Sequence, residues 1–200
     1  ISGNDGGLVA VATTVGQSFS ASGNTFSANR YANILASALT LNLTGNTITG
    51  SNWGVVAQAS SPANTVVNLS GGNVVSQAAA AGLTVFDDNL ADAFAATIQG
   101  SGNQFVNNAV GAANTPVQGT VSLACNWWGS PYGPINPANP LGQGNPATVN
   151  TTFTNWAIDN TTFACTGNPQ NNILLASPQI PVPTLHPILL AALVLTLAIF

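Results

Sequence analysis

From Leu39 to Thr44 the chain alternates strictly between leucine and a polar residue. Leu39, Leu41 and Leu43 fall on one face of an extended strand and Thr40, Asn42 and Thr44 on the other. The same pattern returns with Val, Ile and Leu over Thr65 to Ser70, Ala95 to Gln99 and Thr120 to Ala124. A second set of short apolar runs covers Ala32 to Ala36, Trp53 to Ala57, Gly82 to Phe86 and Asn108 to Ala112. Between the runs stand Gly, Asn and Ser, which reach positive φ cheaply and so form tight corners. Two or three short strands per turn of ~22 residues, joined by such corners, predict a stacked parallel β-solenoid.

Five asparagines mark the repeat: Asn24, Asn46, Asn73, Asn103 and Asn126, at intervals of 22, 27, 30 and 23 residues. Three residues before each anchor stands Ala21, Leu43, Ser70, Gly100 or Leu123, with Leu69 and Ile98 displaced where extra glycines intervene. Two residues after each comes Phe26, Ile48, Val75, Phe105 or Trp128. Asparagines aligned at one corner can hydrogen-bond along the stack, as amide ladders do in cross-β assemblies. An antiparallel sandwich of short strands is the competing architecture, but it has no need of the same Asn at every period. The expected fold is therefore all-β, with four to five coils over residues 15–128.

Beyond the repeats the pattern stops. Pro131, Pro134, Pro137, Pro140 and Pro146 remove backbone donors, so residues 129–150 are expected to form a surface loop without regular strand pairing. Val149 to Trp156 reads as one last strand returning to the stack, completing a β-helical domain of residues 1–160. Residues 161–187 read as a polar and then Pro-rich linker. Ile188 to Phe200 is uncharged and apolar, a hydrophobic helix short of the ~20 residues that span a bilayer but running to the last residue. Insertion of this helix in a precursor is expected. The chain starts at Ile1 with no charged-then-apolar leader, as expected of a processed or longer parent chain.

Composition narrows the function. Hydrophobic residues make up 46%, ample for a core, but charged residues only 3%, with one Arg, five Asp, no Lys and no Glu. Phosphate neutralisation needs clustered Lys and Arg, so nucleic-acid binding is excluded. A net charge of −4 and alternating aliphatics also argue against disorder.

The segment Asn126-Trp127-Trp128-Gly129, followed by Gly133-Pro134 and Asn139-Pro140, resembles the closing motif of bacterial right-handed parallel β-helix repeat proteins of the pectin-lyase-like superfamily. With the Asn anchors, the resemblance covers about residues 15–160 and implies a right-handed, single-stranded β-helix. Adjacent tryptophans on a strand face opposite ways, so one is expected to cap the core and the other to pack under the proline loop. Pro183-Thr184-Leu185 resembles the signature of bacterial C-terminal sorting signals of the IPTL-CTERM type. In those signals a membrane helix and a basic cluster follow. Here the basic cluster is missing and His186-Pro187 replaces the usual continuation. That resemblance implies export, a membrane anchor at least in the precursor, and sorting machinery as a partner.

Cys125 and Cys165 sit where a bond would tie the proline loop and last strand to the final coil, two free thiols being the alternative. A closed loop of that size contributes roughly 3–4 kcal/mol on the chain-entropy model. For chemistry the only acidic cluster is Asp87, Asp88 and Asp92, a weak Ca²⁺ candidate more simply read as an exposed acidic corner. Lyase or hydrolase chemistry needs a base, a cation or converging carboxyls, and neither Arg30 nor His186 lies near the cluster in sequence. No catalytic residue and no cofactor is expected. Asn42, Asn68, Asn150 and Asn160 begin glycosylation-type sequons that an Asn/Thr-rich chain produces by chance. The leading expectation is a non-enzymatic surface or secreted rod, adhesin-like, with carbohydrate as a candidate partner. A scaffold fragment of a carbohydrate-active enzyme is the alternative. An ice- or crystal-binding solenoid ranks below both, because Thr40, Thr44, Thr47 and Thr49 form no recurring Thr-x-Thr.

Overall fold

The structure, a computed structural model, describes residues 1–87, 93–114 and 119–170. The alternating runs wind into a parallel β-solenoid of about 5 turns. Its first coil holds β1 (Gly6–Val11), β2 (Ser18–Ser22) and β3 (Thr25–Ser27), and its second β4 (Ala32–Ser37), β5 (Thr40–Thr44) and β6 (Thr47–Thr49). The third holds β7 (Trp53–Ala59), β8 (Thr65–Ser70) and β9 (Val74–Ser76), and the fourth β10 (Ala81–Asp87), β11 (Ala96–Ser101) and β12 (Gln104–Val106). In the fifth, β13 (Ala112–Asn114) and β14 (Gly119–Ser122) are followed by Trp127, bridged in parallel to Gln104. β15 (Thr151–Thr152) pairs with β14 and opens a further partial turn. Every pairing between these strands is parallel, and the stack starts at Gly6, ahead of the expected residue 15.

Three sheets result: β1-β4-β7-β10-β13, β2-β5-β8-β11-β14-β15 and β3-β6-β9-β12. Each sends side chains inward in columns that run along the stack. Ile34, Val55 and Leu83 come from the first sheet, and Leu41, Val67, Ile98 and Val121 from the second. Phe26, Ile48, Val75, Phe105 and Trp128, the residues two after each anchor, form the third. All are buried, and Trp128 lies 4.9 Å from Phe105 between ring centroids, so it continues the column at its closing end.

The anchors meet as a ladder. The Oδ1 of each accepts from the backbone N–H of the anchor one coil earlier: Asn24 to Asn46 at 2.9 Å, Asn46 to Asn73 at 2.9 Å, Asn73 to Asn103 at 3.2 Å and Asn103 to Asn126 at 2.9 Å. Each Nδ2 reaches back to a carbonyl of the earlier coil: Ala21, Leu43, Leu69 and Gly100. Buried amides thus satisfy both the corner and one another. The residue before every anchor is left-handed: Gly23, Gly45, Gly72 and Gly102 at φ 65°, 63°, 72° and 70°, then Cys125 at φ 58°.

Residues 129–150 are better packed than a surface loop. Pro146 accepts backbone bonds from Gly111 at 2.7 Å and Ala112 at 3.3 Å, and Ala147 bridges in parallel to Ala112. A proline cannot donate but still accepts, so the segment lies along the fifth coil through scattered bridges instead of a continuous strand. Its Asn145 extends a second amide column, accepting from the Asn108 backbone N–H at 2.8 Å as Asn108 accepts from Ala78 at 3.0 Å. That column passes unmarked in sequence, because Ala78 interrupts it. Under the loop lies Trp156, a tryptophan outside the adjacent pair, while Trp127 is half-buried. The Trp156 indole N–H donates to the Pro131 carbonyl at 2.9 Å, and its ring covers Gly133 and Gly167, where an added Cβ would collide with it.

Cys125 and Cys165 are disulfide-bonded, with Cα atoms 5.0 Å apart. Trp156 and Gly167 exchange backbone bonds of 3.0 and 3.1 Å, and Ile158 donates to Ala164 at 3.0 Å. The chain is therefore docked on the solenoid well past residue 160. The expected membrane helix and the Pro183-Thr184-Leu185 motif lie outside the described residues.

Candidate functional site

The solenoid's first sheet departs from simple alternation, and the departure creates a groove. Where β5 reads apolar-in and polar-out, β4 and β7 carry apolar residues on both faces, as Ile34-Leu35 and Val55-Val56 show. The register sets Leu35 beside Val56 and Val56 beside Thr84 on the outer face, with Ser37, Gln58 and Phe86 aligned one step further along. Trp53 stands at the first position of β7, opposite Ala32, and its backbone N–H donates to the Tyr31 carbonyl at 2.8 Å.

Together Tyr31, Ala32, Leu35, Trp53, Val56, Gln58, Thr84 and Phe86 line a groove of about 320 Å³. Tyr31 and Phe86 are 51% and 50% exposed, so they are surface aromatics and not core. From Trp53 to Gln58 the groove follows the strand for about 17 Å at the usual rise of ~3.3 Å per residue. No lining residue carries a charge. The nearest cation, Arg30, lies over the Tyr31 ring at 5.1 Å and is paired at 3.6 Å with Asp5 on an exposed surface. Such a pair is screened by water and contributes little to stability.

The acidic cluster of the sequence divides. Asp87 closes β10, half-buried beside Ala59, whereas Asp88 and Asp92 lie outside the described residues. Among the described residues, no three His, Cys, Asp or Glu side chains group as metal ligands would. Asp159 serves the local fold instead. Its carboxylate accepts from the Thr162 hydroxyl and backbone at 2.6 Å each, and from the Thr161 backbone at 2.9 Å and hydroxyl at 2.8 Å. These bonds, Thr162's first, hold its pKa well below the ordinary carboxylate value. Asn126, Trp128 and Gly129 serve the closing coil, Asn126 in the ladder and Trp128 in the core.

The groove was within reach of the sequence. Its signal is the uninterrupted apolar runs in the first sheet, which alternation alone assigns to the core. An unbroken apolar strand implies cover on both faces, and here the outer one is covered only in part: Val56 is buried, whereas Tyr31 and Phe86 at its edges stay exposed. No protein-family model matches the chain, and no curated protein or solved structure matches it.

Proposed function

We propose that the protein is an exported, non-enzymatic solenoid that works as a rigid surface scaffold of adhesin type. The observation that carries this reading is a rod poor in charged residues whose apolar groove, edged by the exposed Tyr31 and Phe86, faces outward on its first sheet. Exposed apolar patches on soluble rods mark contact surfaces. The support from chemistry is the poverty of acid, base and cation: general acid–base and metal mechanisms need groups that one Arg, one His and five Asp do not assemble. The right-handed winding of pectin-lyase-like β-helices and the sorting-signal reading of Pro183-Thr184-Leu185 belong to the same proposal. On that reading residues 188–200 insert as a helix in the precursor and Pro178 to Pro187 act as spacer or processing segment.

Antibody labelling and protease shaving of intact cells test it. Surface exposure is expected, together with no depolymerisation of neutral or acidic polysaccharides by purified protein, with or without Ca²⁺. Turnover lost on Asp88→Asn would instead favour the second reading, a fragment of a carbohydrate-active enzyme.

A further inference from the structure

We infer that two copies of this chain join end to end through the outer edge of β1, in a closed two-fold dimer. The inference concerns the opening end of the rod and is independent of the scaffold reading. Unpaired backbone at the edge of a terminal coil invites pairing with another strand. At the closing end the chain covers its own edges: Trp127 lies on β12, Pro146 to Thr148 on β13 and β15 on β14. At the opening end Ile1 covers only β3, accepting from the Ser27 backbone N–H at 3.0 Å. Among the described residues, β1 and β2 are paired on one side alone.

The free edge of β1 is regular and unprotected. The Ala12 backbone N–H donates to the Ser37 carbonyl at 3.0 Å. Alternate residues of a parallel strand bond opposite neighbours, so Leu8 and Ala10 share that direction, and Gly7, Val9 and Val11 aim their N–H and C=O groups outward. β1 carries no charge and no proline, two usual protections of an exposed edge. Val9 and Val11 are 60% and 58% exposed. The core is open at this end as well. Phe19, in register with the fully buried Leu41, is 46% exposed, and a cavity of about 440 Å³ lies among Phe19, Leu8, Ala10 and Leu39.

A second copy of the same end fits this edge. Among the described residues, the closing end offers as free strand only the two residues of β15, so a head-to-tail filament lacks a matching edge. An end-to-end pair is isologous and closes on itself. Charge does not oppose it, because the exposed Asp5 is paired with Arg30 at 3.6 Å. A two-fold axis at Val9 sets β1 antiparallel to its counterpart and joins the two five-stranded sheets into one. Leu8 of one copy then lies opposite Ala10 of the other, over the joined cores. Residues 1–5, which rise above β3, come to lie over the free edge of β2 in the other copy. An axis through β2 would instead drive them onto β1.

Light scattering coupled to size-exclusion chromatography tests this on the full chain in mild non-ionic detergent. The mass is expected to rise with concentration from one chain to two and no further. Val9→Pro removes only an edge-facing N–H. It should weaken the dimer at least about tenfold and leave the unfolding of the dilute monomer nearly unchanged. Val9→Cys should give a disulfide-linked dimer on mild oxidation, because the paired Cα atoms stand ~5.5 Å apart, within bonding reach. Val15→Cys, at an exposed corner beyond β1, should not. A monomer at every concentration overturns the inference, as does a dimer that Val9→Pro leaves intact. Assembly beyond two chains also overturns it, and so does equal cross-linking by Val9→Cys and Val15→Cys. Dimerisation that survives Val9→Pro but is lost on removing residues 188–200 would overturn it by naming the apolar tail as the contact.

Discussion

Asn103 shows how much of the fold rests on single amides. Its Oδ1 accepts from the backbone and side chain of Asn73 at 3.2 and 2.8 Å, and its Nδ2 donates to the Leu69 carbonyl and to Asn126 at 3.2 and 3.0 Å. Asn103→Ala leaves these partners buried without water, so a loss of about 2–3 kcal/mol is expected in chemical denaturation. Asn103→Asp should be worse near neutrality. Burial among carbonyls would raise that carboxyl's folded pKa, so the variant's deficit grows as pH rises above about 4, its unfolded value. An Asn103→Asp protein whose stability did not fall with rising pH would contradict the ladder's donor role. Asp159 has the opposite sign. Its lowered pKa means that its stabilising contribution is fully present above the ordinary value of about 3.9 and disappears as pH falls toward the folded pKa. Wild type and Asp159→Asn should therefore differ at neutral pH and converge in acid, read by hydrogen exchange at Ile158 to Cys165. Cys125 offers a third test at this scale. It holds the left-handed position that glycine holds in the four earlier coils. Cys125→Gly and Cys125→Ser both lose the disulfide, yet the glycine variant should be about 1 kcal/mol more stable, and equal melting curves would refute the strain argument.

Among the elements, the closing segment is the one whose stability can be separated from the rest. The bond between Cys125 and Cys165 closes a loop with a sequence separation of 40, and the Trp156–Gly167 pairing lies beside its closing end. Reduction, or Cys165→Ser, should cost about 3–4 kcal/mol on the chain-entropy model. Exchange protection should fall first at Trp156 and Gly167, while the ladder amides of Asn46 and Asn73 stay protected. Gly133→Ala should cost about 1–3 kcal/mol, because the new methyl meets the Trp156 ring at a position that is also left-handed at φ 72°. The strands of the second sheet were legible in sequence because they are polar on one face, and so was the ladder, because its corner recurs with little interruption. The closing loop was not. Its bonds run through scattered carbonyls, those of Gly133 and Pro146 among them, and through Asn136, Asn139 and Asn145, and none of these leaves a periodic trace. The groove was half legible: unbroken apolar runs were visible, but only the register puts Leu35, Val56 and Phe86 on an outer face beside Trp53.

As a whole molecule, the protein is a rod of about five coils, roughly 24 Å tall at the ~4.8 Å strand spacing. Contacts run almost wholly between neighbouring turns, so stability is close to a sum over coils and their interfaces. Membrane fractionation with and without residues 188–200 belongs to this scale. The longer form is expected in the membrane fraction, and equal recovery of both forms in the soluble fraction would end the anchor reading. The ladder carries a further consequence. Each anchor hands its N–H to the next and receives the same from the one before, whether 22 or 30 residues separate them. The bonding rule is thus indifferent to contour length and sensitive only to phase. Coils can be inserted or excised as whole units, with Asn46 meeting Asn103 directly once residues 47–73 are removed, while loss of an anchor without the rest of its coil breaks the ladder at that turn. The rod's reach is then an adjustable quantity, set by gene length in whole turns and independent of the sealed end.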